Sequence, residues 1–147
     1  GSGATLKIHL RSEGLGLLGS VNEVVRIGRE TGVSVQISHL KAIGRKSWHS
    51  FKTALELIAH ANESGADINF DISPYATTGS LLYMLLPAWS RAGGLAALFK
   101  NIDDPTMRQK IVEELKSYTL HYDRIRITSA KIKSIVGRTV AELAEEA

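Results

Sequence analysis

The first seventy-odd residues alternate between two hydrophobic periods, and that alternation constrains the fold more than any other feature. Thr5-Leu6-Lys7-Ile8-His9-Leu10-Arg11-Ser12-Glu13 reads as a strand that runs out into polar residues. Ser20 and Glu23 then make an S-x-x-E capping box, and Val21, Val24, Val25 and Gly28 recur at helical spacing before Gly32 as a stop. A second strand follows over 33–38. A glycine-bearing loop over 41–47 leads to a helix with Phe51, Ala54, Leu55, Ile58 and Ala61 on one face, punctuated by Gly65. Residues 67–72 give a third strand. Strand–helix–strand–helix–strand predicts parallel pairing through right-handed crossovers, an α/β architecture.

The rhythm changes at Ser80. Residues 80–119 carry helical pattern and no convincing strand: Leu81, Leu82, Leu85 and Leu86 before Pro87, then Leu95, Leu98 and Phe99. Asp104-Pro105 is a cap and first-turn proline opening a helix with Ile111, Val112, Leu115 and Tyr118 inward. A fourth strand is expected at Arg124-Ile125-Arg126-Ile127-Thr128, and Thr139 with Glu142 caps a last helix. Three parts result: strand–helix units over 1–79, a helical insertion over 80–119, and a returning strand with a C-terminal helix over 120–147. Three parallel strands plus one cannot close a barrel of eight, so barrel material of this length is an incomplete barrel. Its open strand edges would favour self-association into a homo-oligomer.

Composition narrows the classes of partner. The 147 residues carry 18 basic and 15 acidic side chains, a formal charge of +3, with 44% hydrophobic residues. The bases are scattered without interleaved aromatics, which argues against a nucleic-acid surface. No apolar run approaches the roughly 20 residues of a membrane span, so no membrane partner is expected. Gly1-Ser2 reads as a cloning remnant, and nothing at the start resembles a signal peptide. The chain has no cysteine, which removes disulfides and thiolate metal ligands and is compatible with a cytoplasmic location.

Chemistry in parallel α/β proteins sits at the carboxyl ends of strands. His9 and His39 follow successive strands, and neutral imidazoles on neighbouring strand ends can point at one cation. The alternative is that each ring merely bonds a loop carbonyl. Lys41, two residues past His39, could meet a substrate carboxylate as a point charge, or be a surface lysine at a loop start. Ser73-Pro74-Tyr75-Ala76-Thr77-Thr78-Gly79-Ser80 is the third strand-end loop, suited to a ligand or simply to a turn and helix cap. His49, His60 and His121 have no comparable setting. No nucleotide-binding glycine fingerprint, G-x-S-x-G elbow or H-E-x-x-H helix is present.

Taken together, His9-Leu10-Arg11-Ser12-Glu13-Gly14, Ile37-Ser38-His39-Leu40-Lys41 and Asp71-Ile72-Ser73-Pro74-Tyr75 resemble the D-aminoacylase family, the N-acyl-D-amino-acid deacylases of the amidohydrolase superfamily. The likeness continues through Leu85-Leu86-Pro87-Ala88-Trp89, Arg124-Ile125-Arg126-Ile127 and Val136-Gly137-Arg138-Thr139. The resemblance implies a partial (β/α)8 barrel from an enzyme that hydrolyses N-acyl-D-amino acids with zinc. His9 and His39 match zinc ligands on the family's fifth and sixth strands, and Lys41 matches the lysine that binds the substrate α-carboxylate. Residues 80–119 fall where the family carries an insertion at the active-site mouth, a place for a lid.

The same resemblance implies missing parts: an H-x-H pair, a bridging cysteine and a general acid/base aspartate would all lie outside this chain. No catalytic residue is therefore expected within it, and isolated turnover is expected to be nil. Ser73 stands where many relatives have a carboxylate-holding tyrosine, and Gly79 where a serine commonly assists, with Ser80 the neighbouring hydroxyl. Substrate contacts are accordingly expected from Lys41, Ser73, Tyr75, Gly79 and Ser80. Two other readings stay open: an amidohydrolase of cyclic amides resembling dihydroorotase or hydantoinase, and a non-catalytic scaffold whose histidines are structural.

Overall fold

A computed structural model describes residues 3–75 and 77–146. Gly1 and Ser2, read above as a cloning remnant, Ala76 of the third strand-end loop, and Ala147 lie outside the described residues. The first half is β1 (Thr5–Ile8), α1 (Leu17–Thr31), β2 (Ser34–Ile37), α2 (His49–Glu63) and β3 (Ile68–Phe70). The strands form one parallel sheet in chain order, with Leu6, Val35 and Ile68 in register and Ile8, Ile37 and Phe70 in the next row.

Period-2 alternation sorts the sheet into two unlike faces. Val35, Ile37 and Ile68 are buried with Leu17, Val21, Val24 and Val25 of α1 and Ala54, Ile58 and Ala61 of α2 in one hydrophobic cluster. α1 and α2 also pack on each other, so both crossover helices cover the same face. The intervening row, Lys7, Gln36 and Asn69, is polar. Burying each aliphatic side chain contributes about 1.5–3 kcal/mol, and this cluster is the main source of cohesion in the first half. The Asn62 side chain adds a polar clamp, donating to the Ile68 carbonyl at 2.8 Å and accepting from its N–H at 2.9 Å.

One sequence expectation shifts here. α1 begins at Leu17, before the expected capping box, with Gly16 at its N-cap. Ser20 lies inside the helix: its hydroxyl donates to the Gly16 carbonyl at 3.1 Å and accepts the Ser12 N–H at 3.0 Å, while Glu23 pairs with Arg11. Ser20 thus fastens the loop after β1 to the first turn of the helix. The stop at Gly32 stands as expected, left-handed at φ 65°, its N–H donating to the Gly28 carbonyl.

In the helical stretch, short 3-10 turns at Leu82–Leu85 and Ala88–Arg91 precede α3 (Gly94–Asp103) and α4 (Pro105–Ser117). The leucine run makes one tight turn instead of a helix, because Leu86 is extended ahead of Pro87. Asp104 caps α4 as expected, accepting from the N–H groups of Thr106 and Met107. Of the residues expected inward, Ile111 is buried, Leu115 and Tyr118 are half-buried and Val112 is exposed; of the other apolar residues in this stretch Leu98 is buried, whereas Leu81, Leu82, Leu95 and Phe99 are exposed. Glu114 ties the unit together, accepting from Trp89 Nε1 and from the Tyr118 hydroxyl, each at 2.7 Å.

The fourth strand expected at 124–128 does not join the sheet. Arg126 makes one antiparallel bridge with Thr139, and the N–H groups of Ile127 and Val140 donate to the Arg138 and Ile125 carbonyls. This segment therefore folds back on residues ten or so positions downstream, a local partner that costs little loop entropy to reach. α5 (Val140–Glu145) follows, and its capping box between Thr139 and Glu142 forms as expected. Among the described residues no helix is long and apolar enough to cross a membrane.

Candidate metal and substrate site

The loops leaving β1 and β2 meet at the carboxyl edge of the sheet. Three backbone bonds carry the pairing past the strand ends: Ser38 N–H to the Ile8 carbonyl, Asp71 N–H to Ile37, and Leu40 N–H to Asp71. His39 then turns left-handed at φ 45°, an uncommon conformation for a residue with a side chain. The turn is held from both sides: the Asp71 carboxylate accepts the His39 N–H at 2.7 Å, and Lys41 Nζ donates to the His39 carbonyl at 3.1 Å. That first bond, then a bond from the Gln36 side chain and the nearby Lys7 charge, hold Asp71 below the usual carboxylate range.

The turn brings the two histidines together. His9 Nδ1 lies 2.6 Å from His39 Nε2, and the rings stack with centroids 4.6 Å apart. On the far edge of the His39 ring, Nδ1 is 2.9 Å from Glu13 Oε1, and Glu13 also receives Lys41 Nζ at 2.8 Å. Glu13 is largely buried, with 14% of its side chain exposed, against 41% for His39 and 25% for Lys41. Its backbone carbonyl accepts the Ile43 N–H at 2.7 Å, which locks the β1 loop to the β2 loop.

Imidazole nitrogens are good zinc donors, so the facing pair suits such an ion in kind; in number it supplies half of a four-coordinate set. Among the described residues, no group of three or more His, Cys, Asp or Glu side chains gathers to complete it.

Beside Lys41 opens a cavity of about 480 Å³ whose walls include Trp48, Phe51, Ile72, Ser73 and Tyr75. Lys41, Ser73 and Tyr75 are thus brought to one space. Gly79 and Ser80 do not line it; Thr77 and Thr78 do. Glu13 and Asp71 are polar partners to which sequence reasoning gave no role. Glu13 was visible as the end of His-Leu-Arg-Ser-Glu, but its reach across to β2 depends on a loop conformation that spacing does not encode.

No family model matches the chain. The chain is 34% identical over 80 residues to N-acyl-D-glutamate deacylase of Alcaligenes xylosoxydans xylosoxydans, and 34% identical over 80 residues to D-aminoacylase of the same organism. Each match covers 54% of this chain and 16% of the relative, so the chain spans only a minor part of their length. The crystal structure of N-acyl-D-glutamate deacylase from Bordetella bronchiseptica, complexed with zinc and a phosphonate inhibitor that mimics the reaction's tetrahedral intermediate, is similar at a TM-score of 0.64 and 25% identity. That likeness covers 95% of this chain and 23% of the other. The chain is therefore similar over part of its sequence to N-acyl-D-glutamate deacylase and D-aminoacylase, enzymes of the amidohydrolase family, and over nearly all of its fold to N-acyl-D-glutamate deacylase.

Proposed function

We propose that this chain is a segment of a (β/α)8 barrel belonging to a zinc-dependent amidohydrolase that cleaves N-acyl-D-amino acids into a D-amino acid and a carboxylate. One observation carries the reading: two imidazoles from successive strand ends face each other at 2.6 Å, with the Lys41 ammonium 2.8 Å from the His39 ring. His9 and His39 are the metal ligands in this reading. An ion held by His9 and His39 would supply Lewis-acid chemistry, activating a water and polarising the amide carbonyl.

The chain's own residues orient the substrate. Lys41 pairs with the α-carboxylate, and Ser73 and Tyr75 border the adjoining cavity, with Gly79 and Ser80 farther along the same loop. Fixing the acid end aligns the amide, so binding energy becomes orientation. Residues 80–119 act as a lid over the mouth. The remaining ligands and the proton shuttle come from outside this chain, so the isolated chain turns nothing over, and it associates through its open strand edges.

The test is a zinc titration of the chain followed by an assay of the intact enzyme. Zinc should bind the chain and be lost in His9→Ala and in His39→Ala. The intact enzyme should hydrolyse N-acetyl-D-amino acids in preference to their L forms and to cyclic ureides, and Lys41→Met should raise KM. Failure of either histidine substitution to affect zinc, or turnover confined to cyclic ureides, refutes the proposal.

A further inference from the structure

The polar contacts around His39 allow two tautomers with opposite consequences. If Lys41 donates to Nδ1, the ring proton sits on Nε2 and blocks the nitrogen that faces His9. If Nδ1–H donates to Glu13, Nε2 keeps its lone pair. Both partners are near enough, at 2.8 Å for Lys41 Nζ and 2.9 Å for Glu13 Oε1.

Counting donors and acceptors decides between them. An ammonium has three N–H groups, and Lys41 already has three oxygens in range: Glu13 Oε1 and Oε2, each at 2.8 Å, and the His39 carbonyl at 3.1 Å. It needs no fourth acceptor. A carboxylate oxygen has lone pairs for more than one donor, so Glu13 Oε1 can take both Lys41 and the imidazole N–H. The first tautomer would also press the Nδ1 lone pair against the anionic oxygen of a largely buried carboxylate. From this geometry we infer that Glu13 is a positioning residue: it holds the proton of His39 on Nδ1 and so leaves the Nε2 lone pair facing His9, where it accepts from His9 Nδ1–H at 2.6 Å.

Resting on the zinc reading, this assigns Glu13 the role that a carboxylate behind a ligating histidine plays in metal sites, fixing ring orientation and raising donor strength. It also explains why one carboxylate contacts His39 and Lys41 together. The metal donor and the carboxylate-binding ammonium are set by the same side chain, which is anchored through the Glu13–Ile43 backbone bond.

The test uses the full chain labelled with 15N-histidine, observed by long-range 1H–15N correlation near pH 8. His39 is assigned by difference from His39→Gln. The wild type should show His39 as the Nδ1–H tautomer, and Lys41→Met should keep it. Glu13→Gln should also keep it, through its amide oxygen, whereas Glu13→Ala should give mixed tautomers. In competition with a chromophoric chelator, zinc affinity should fall about 10–100-fold in Glu13→Ala and less in Glu13→Gln. An Nε2–H tautomer in the wild type overturns the inference without any variant having to fold, as does a reversal in Lys41→Met. A wild type that binds no zinc, with the tautomer pattern as expected, refutes the metal reading and upholds the hold of Glu13 on His39.

Discussion

Gly44 offers the sharpest test of how the helical stretch is joined to the strand–helix half. It sits in the β2–α2 loop at φ 83° and ψ 138°, a region that residues with side chains avoid. A Cβ built there would stand 2.6 Å from the Tyr118 carbonyl oxygen at the end of α4, where ordinary contact begins at 3.4 Å. Gly44→Ala therefore incurs backbone strain of about 1–3 kcal/mol. It also forces a displacement of about 0.8 Å, an overpacking cost of about 1–3 kcal/mol. The combined loss is roughly 4 kcal/mol. Gly65 is the matched control: its φ is also positive, at 91°, but an added Cβ meets nothing within 4 Å. Gly65→Ala should lose only the strain, about 1–2 kcal/mol. Urea unfolding of both variants, with unchanged m-values, isolates the clash as a difference of about 2 kcal/mol. A difference below about 0.5 kcal/mol would refute the claim that the Tyr118 carbonyl is pinned against this loop.

Ile37, buried at the centre of the sheet, should cost about 2–5 kcal/mol on substitution by alanine, read from the urea midpoint. Ser38 Oγ is buried with no hydrogen-bond partner among the described residues, so Ser38→Ala should be neutral or stabilise by up to about 1 kcal/mol; a loss above that would reveal an unrecognised partner. Thr139→Ala breaks the capping box of α5 and should cost about 1 kcal/mol, with faster amide exchange confined to 140–145. Tyr118 is pushed up to about 12 by burial and then by its bond to Glu114, so its protonated form is favoured by folding. The stabilisation is complete below its ordinary pKa near 10 and is lost as pH rises through about 12. Tyrosinate absorbance should show a late-titrating component that Tyr118→Phe removes.

The sheet and its helices were legible because their signals are periodic and local. Val21, Val24, Val25 and Ala54, Ile58, Ala61 recur at helical spacing and are buried where that spacing puts them. What misled is equally physical. Ser20 and Glu23 satisfy the S-x-x-E pattern, yet the Ser20 hydroxyl finds the Ser12 N–H and Glu23 finds Arg11, so the helix starts earlier. The run at 124–128 has strand character, but a nearby partner at 137–140 captures it before the sheet edge can. At the site, sequence indicated His9, His39 and Lys41 by their place after strands. It was silent on Glu13 and Asp71, whose roles arise from loop geometry between chain segments about 26 and 32 residues apart.

The strand register shows why that loop geometry matters. Ile8 pairs with Ile37, so continued regular pairing would set His9 beside Ser38 and leave His39 one step on. With a side-chain period of two, His39 would then follow Ile37 toward the helix-covered face, away from His9. The left-handed turn at φ 45° removes that conflict by swinging the ring back to the edge where His9 stands. Asp71, on the next strand end, holds the turn through the His39 N–H, while Glu13, on the previous one, holds the ring. A strained residue fixed from both neighbouring strand ends is costly to maintain for packing alone, since a buried leucine would serve there without strain. The expenditure makes sense where the ring must meet a second imidazole, which ties the backbone outlier to the same chemistry as the facing nitrogens.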